Sequence, residues 1–144
     1  MFSASCHYGI QAMMCIARHY SANDNIELTK IAAEYDIPKH FLSKILQQLV
    51  KGKLLKSTKG PSGGYRLIRH PDKIALIDIV EVIDGTDVFY DCGIGFKKCD
   101  DSDPCPFHDD YKVVREKVKN LFETKTLGEL NKDPAVSGSI LPIL

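Results

Sequence analysis

Between Asp91 and Asp110 the apolar rhythm of the chain stops, and no helix or strand can be drawn through DCGIGFKKCDDSDPCPFHDD. Gly93, Gly95, Pro104 and Pro106 break both the helical and the strand period. Cys92, Cys99 and Cys105, followed by His108, fall within this interruption in the spacing C-x6-C-x5-C-x2-H. A loop can wrap an ion in a way that a helix or strand cannot. Soft thiolates with an imidazole suit zinc or an iron–sulfur cluster, not calcium or magnesium. The interruption divides the chain into a head (residues 1–85), a metal-binding loop (86–108) and a C-terminal helix with a tail (109–144).

Buried cysteines that are not ligands rarely crowd together where apolar periodicity is missing, so shared ligation is the expected role of these three. His108 follows Cys105 by one helical turn if a helix begins near Pro106, and can then face the same centre; otherwise it is a helix-start or surface histidine. His7 is the rival fourth ligand, with Cys6 behind it. Cys15 lies in an apolar helical stretch, where a small buried hydrophobe is the ordinary reading. Structural zinc usually displays C-x2–4-C knuckles. The wider gaps here favour a cluster, with zinc kept as the alternative. The chain has five cysteines, an odd number that argues against a fully paired disulfide framework.

The zero net charge conceals an asymmetry. Residues 1–73 hold 11 Lys/Arg against 5 Asp/Glu, and residues 74–144 hold 8 against 14. Between Lys39 and Lys73 there are nine bases and one acid, Asp72. Such a division is expected of a nucleic-acid-binding head on a body with another task. Its blander reading is a solvated surface.

The order of elements sharpens that reading. A first helix begins within Met1–Met14, and Leu28–Tyr35 reads as a short helix. Asp36-Ile37-Pro38 makes a tight connection to a helix over Lys39–Lys51. The last helix puts Phe41, Leu42, Ile45, Leu46, Leu49 and Val50 inward, and Lys39, His40, Ser43, Lys44 and Gln47 outward. Two short helices joined this way are a helix-turn-helix candidate. Leu54–Ser57 and Tyr65–Ile68 then read as strands around Thr58-Lys59-Gly60-Pro61-Ser62-Gly63-Gly64, a wing-like hairpin. Lys56, Lys59, Arg66 and Arg69 give it charge, and Ser62 and Gly63 allow a close approach to the backbone of double-stranded DNA. Its glycines do not make a phosphate loop, because no Lys followed by Ser or Thr ends the run.

Leu76–Ile83 reads as an apolar helix ended by Gly85. About Asp109–Thr124 reads as an amphipathic helix with Tyr111, Val114, Val118, Leu121 and Phe122 as one stripe, suited to pairing in a homodimer. Thr126-Leu127-Gly128-Glu129 resembles a capping box for a last short turn. The tail Pro134–Leu144 is expected to be irregular, with Ile140, Leu141, Ile143 and Leu144 available for docking. No run of about eighteen apolar residues exists, so no membrane partner is expected. The first residues lack the layout of an export signal, which suggests a cytoplasmic protein.

Taken together, the helix-turn-helix, the KGPSGGYRLIRHP wing, the LIDIVEVIDG helix and the three-cysteine loop resemble the IscR/NsrR family of bacterial winged-helix iron–sulfur regulators, over residues 1 to about 125. The resemblance implies a mainly α fold with a small β-hairpin wing and a homodimer formed through the long C-terminal helices. It also implies transcriptional control through a [2Fe-2S] or [4Fe-4S] cluster. The three-cysteine, one-histidine set of the assembly-regulator branch falls on Cys92, Cys99, Cys105 and His108. Two departures stand out: the first gap is six residues where that branch usually has five, and Ser43 stands where it carries a glutamate. In the nitric-oxide-sensing branch an acidic residue near the first helix can ligate from the partner. His7 occupies the corresponding position here.

The expectation is therefore a non-enzymatic, dimeric DNA-binding regulator that senses redox state, iron–sulfur status or nitric oxide, with [2Fe-2S] preferred. The alternatives are a winged-helix DNA-binding protein with a structural zinc, and a cluster-bearing electron carrier.

Overall fold

The structure, a computed structural model, describes residues 1–20, 24–95 and 99–132. Lys97, Lys98 and the tail positions Ile140, Leu141, Ile143 and Leu144 lie outside them. The element order is α1 (Ala4–Arg18), α2 (Leu28–Tyr35), α3 (Lys39–Lys51), β1 (Leu55–Thr58), β2 (Gly64–Leu67), α4 (Leu76–Ile83), α5 (His108–Thr124) and α6 (Leu127–Asn131). Short 3-10 turns cover Pro71–Lys73 and Asp87–Phe89. The fold is mainly helical with a two-stranded antiparallel wing, as expected.

Helix α1 starts where the Ser3 hydroxyl accepts the Cys6 N–H at 3.0 Å, an N-cap that satisfies one orphan donor. Its residues Gln11 to Ala17 are all buried. A helix covered on every side must be central, and α2, α3, α4, α6 and β2 all pack on it. The main core gathers Met13, Ile16, Ile31, Leu42, Ile45, Leu46, Leu49, Leu55, Ile74 and Ile79 around it. Phe41, expected inside, is instead 49% exposed beside His40, with their rings 4.5 Å apart. It lies on the edge of the apolar arc, where a rotation of one position separates core from solvent.

The wing pairs Leu55 with Leu67 through to Thr58 with Gly64. The segment before α2 adds a third strand position: Ile26 and Tyr65 exchange both backbone hydrogen bonds at 2.9 Å. Tyr65 packs against the main core, so it anchors the wing. Gly64 sits at φ +138°, and a Cβ there would come within 2.5 Å of the Ile26 carbonyl oxygen.

Two contacts place the remaining parts. The Cα of Gly52, just after α3, meets α4 so closely that a Cβ would come within 2.5 Å of Val82 Cγ2. A second apolar cluster of Cys6, Val80 and Phe89, with Phe2, Val118 and Phe122 against it, joins α1, α4 and α5. Phe2 lies 4.7 Å from Phe122 and 6.0 Å from Phe89, centroid to centroid. After α5 the chain returns to the head: Leu76 N–H donates to Lys125 O, Leu127 N–H donates to Ile74 O, and the Asn131 amide donates to Met14 O. Thr126 caps α6 by accepting the Glu129 N–H at 3.2 Å.

Because Gly64 combines positive φ with a closed backbone approach, Gly64→Ala should destabilise the protein by more than about 1 kcal/mol. It should also loosen the wing. Denaturant unfolding, with hydrogen exchange at the Tyr65 amide, measures both effects.

Candidate nucleic-acid interface and metal centre

The outer face of α3 carries Lys39, His40, Lys44 and Gln47 exposed, with Ser43 half-buried. Across a cleft of about 530 Å³ lined by Gln47, Val50 and Lys51 on one side lies the wing, with Ser57 to Gly60 and Gly63 to Tyr65 on the other. Lys56, Lys59 and Ser62 are exposed on the wing and Arg66 is half-buried. Gly63, expected to let a phosphate approach, is buried instead: its N–H donates to Gly60 O at 2.9 Å. Gly63 therefore closes the turn that presents its neighbours. The Asn25 amide donates to Ser62 O at 3.0 Å and ties the wing tip to the head. Phe41 was missed as a surface group because apolar pattern alone assigns aromatics inward.

The metal loop is anchored from α5. Buried Arg115 donates from Nη1 to Asp91 O at 3.3 Å, and Lys119 Nζ donates to the Tyr90 hydroxyl at 3.1 Å. The Tyr111 ring lies against Gly93. Cys99 N–H donates to Tyr90 O at 2.9 Å, which draws the far arm of the loop back to its start.

The four expected ligands meet as two pairs. Cys92 Sγ and Cys105 Sγ are 3.4 Å apart, and Cys99 Sγ lies 3.0 Å from His108 Nδ1. His108 is only 5% exposed, at the first position of α5. Its Nε2 lies 2.8 Å from Asp101 Oδ1, and Lys112 Nζ holds the same carboxylate at 2.7 and 2.9 Å. The hydrogen bonds of Lys112 and then His108 pull the Asp101 carboxyl below its usual range. A carboxylate on Nε2 leaves Nδ1 turned toward Cys99, the orientation that outer-shell carboxylates give to histidines able to hold a metal. Partial burial pushes the Cys105 thiol up, and neighbouring Cys92 and Cys99 add to this. A cationic centre would reverse that resistance to ionisation.

Three thiols and an imidazole suit a soft metal centre. Metal–sulfur bonds of about 2.3 Å at tetrahedral angles place paired ligand atoms roughly 3.5–3.8 Å apart, so the Cys92–Cys105 pair at 3.4 Å lies near that spacing and the Cys99–His108 pair at 3.0 Å would open by about half an ångström. One ion would need all four atoms at such distances. Among the described residues, the trio whose ligand atoms all lie within 4.8 Å of one another is Cys15, His19 and Glu34, elsewhere in the fold. Of the rival ligands, the His7 ring sits edge-on to Phe2, 6.5 Å between centroids. Cys6 is fully buried, and burial with the nearby Asp84 charge pushes its thiol up to about 12.

Helix α5 separates the expected dimer stripe into two faces. Val118 and Phe122 pack on the chain's own second cluster, and Tyr111 on the loop. Val114 and Leu121 are 55% and 48% exposed, joined by Val113 at 56%. The inward row is Tyr111, Arg115, Val118 and Phe122, at heptad-like spacing that includes a charged residue. Reading apolar residues alone merged the two rows and missed Arg115.

A family model described as Rrf2, iron-dependent transcriptional regulator, matches residues 2–133. The chain belongs to the Rrf2 family. It is 29% identical over 129 residues to the HTH-type transcriptional regulator IscR of Vibrio campbellii, covering 90% of this chain and 76% of that one. Among solved structures it resembles CymR, the global cysteine regulator of B. subtilis, with TM-score 0.76 and 26% identity, covering 92% and 96% of the two chains. It also resembles T. potens IscR, with TM-score 0.74 and 26% identity, covering 98% and 93%. These relatives agree with an IscR/NsrR-type member of the Rrf2 family. The protein is thus a DNA-binding transcriptional regulator and not an enzyme. No described helix is long and apolar enough to cross a membrane.

Removing an exposed wing cation should weaken binding to duplex DNA irrespective of sequence. Lys59→Ala should lower the slope of log affinity against log salt by about 1. Fluorescence anisotropy across a salt series measures this.

Proposed function

We propose that this Rrf2 protein is a homodimeric regulator whose hold on duplex operator DNA depends on a [2Fe-2S] cluster ligated by Cys92, Cys99, Cys105 and His108. The observation that carries the reading is the two-pair arrangement of those four ligand atoms. Each iron of a two-iron centre takes two protein ligands, and histidine can replace cysteine on one of them. On this reading Cys92 and Cys105 would share one iron and Cys99 and His108 the other, which the two close pairs support. When bound, such a cluster supplies one-electron redox chemistry and reactivity toward nitric oxide. The iron-dependent description of the family supports the same reading.

The protein's own residues supply the rest. Asp101 and Lys112 orient the His108 ring, and Arg115 and Lys119 hold the start of the loop on α5. On the DNA side, Gln47 is suited to an adenine edge, and Phe41 offers apolar contact to a thymine methyl. Lys39, His40, Ser43 and Lys44 complete the groove-facing set, while Lys56, Lys59, Ser62 and Arg66 track the flanking backbone. Two such heads in a dimer enter successive major grooves about 34 Å apart. Exposed Val113, Val114 and Leu121, with Phe107 and Ile94 from the loop, form an apolar surface for the partner subunit.

Anaerobic purification followed by iron, sulfide and visible-absorption assays tests the cofactor. Two irons and two sulfides per chain are expected; a colourless protein with one zinc per chain would overturn the reading. His108→Ala should lower retained iron, and Asp101→Ala should weaken cluster retention roughly ten- to a hundredfold while leaving the fold intact. Leu121→Glu should shift sedimentation toward monomer with little loss of stability. Phe122→Ala should instead lower stability by about 2–3 kcal/mol, below the range for a fully buried Phe because the ring is only partly buried.

A further inference from the structure

We propose that Cys15, His19 and Glu34 form a second metal site, for a zinc-class divalent cation, at the seam between α1 and the first helix of the helix-turn-helix. Cys15 and His19 stand four residues apart at the end of α1, on one face. Glu34 reaches them from the last turn of α2. Cys15 Sγ donates to Glu34 Oε2 at 3.1 Å, His19 Nε2 lies 3.9 Å from the same oxygen, and the three ligand atoms all fall within 4.8 Å of one another. Zinc bonds of about 2.0–2.3 Å at tetrahedral angles require neighbouring ligand atoms roughly 3.3–3.8 Å apart. Small side-chain adjustments meet that condition.

The surroundings organise the trio. Arg18 pairs with the other carboxylate oxygen, Oε1, and lies 5.6 Å over the Tyr35 ring. This contact turns Glu34 Oε2 toward the thiol and the imidazole, the role of an outer-shell partner. Cys15 is fully buried, whereas the His19 and Glu34 side chains are 36% and 30% exposed. The site is therefore closed on one side and open to solvent on the other, where a water completes four ligands. A thiol and an imidazole disfavour magnesium and calcium. On binding, the S–H bond of Cys15 breaks, its proton leaves to solvent, and the sulfur lone pair forms the metal bond. Because Glu34 is already ionised against Arg18, binding a divalent ion with loss of one proton takes the trio from one negative charge to neutral, a cost that the nearby Arg18 and Lys30 impose and the metal–ligand bonds must exceed. An occupied site clasps α1 to α2 and makes the DNA head metal-dependent independently of the loop.

Cobalt(II) is the probe, titrated into the full-length chain carrying Cys92→Ser, Cys99→Ser and Cys105→Ser. One tetrahedral cobalt per chain with a thiolate-to-cobalt absorption band is expected, displaced by zinc and accompanied by a higher melting midpoint. His19→Ala or Cys15→Ser added to this chain should weaken binding at least about tenfold. Absence of cobalt binding in the folded triple variant, or unchanged affinity after His19→Ala, overturns the site and leaves the trio a hydrogen-bond and ion-pair network. If circular dichroism shows the triple variant unfolded, the otherwise native chain and its His19→Ala variant are compared. A difference of one cobalt per chain supports the site, and equal stoichiometry overturns it.

Discussion

The arrangement depends on the burial of α1. Seven consecutive residues, Gln11 to Ala17, are withdrawn from solvent, and four helices and a wing strand rest on them. At about 25 cal/mol per Å² of apolar surface, such a helix supplies much of the drive to assemble the head. It also fixes where chemistry can sit. The N-terminal end of α1 meets the Phe2, Phe89 and Phe122 cluster beneath the metal loop, and its C-terminal end presents Cys15 and His19 to α2. One rod thus runs from beneath the cysteine loop to the helix-turn-helix.

Much of this was legible in sequence. The bounds of α2, α3 and α4 follow from apolar period together with Pro38 and Gly85, and the wing from alternating strands around a glycine-rich turn. The cysteine loop declared itself by lacking any period. Other features left no such trace. The Ile26–Tyr65 pairing uses only backbone groups, which carry no side-chain signature. Phe41 and Gly63 were placed by residue type, yet Phe41 lies at the edge of the apolar arc and Gly63 is packed against the Thr58 and Gly60 carbonyls within its own turn.

The candidate sites show the same division. Spacing singled out Cys92, Cys99, Cys105 and His108, because such residues close in sequence stand out where apolar period is missing. Their sorting into pairs, and the Asp101–Lys112 support of His108, arise from how α5 meets the loop. Arg115 stayed hidden because a charged residue in an inward row contradicts the apolar pattern on which the row is recognised. The Cys15, His19 and Glu34 trio was harder still: Glu34 lies on another helix, and Cys15 alone reads as a small hydrophobe.

The near-contact of Gly52 with Val82 bears on signalling. Helix α4 touches the end of the recognition helix on one side and α5 on the other, with no deformable layer at the first junction. A side chain there would have acted as a cushion, absorbing small displacements by changing rotamer. With bare backbone pressed on a branched residue, the end of α3 and helix α4 are stacked like stones without mortar.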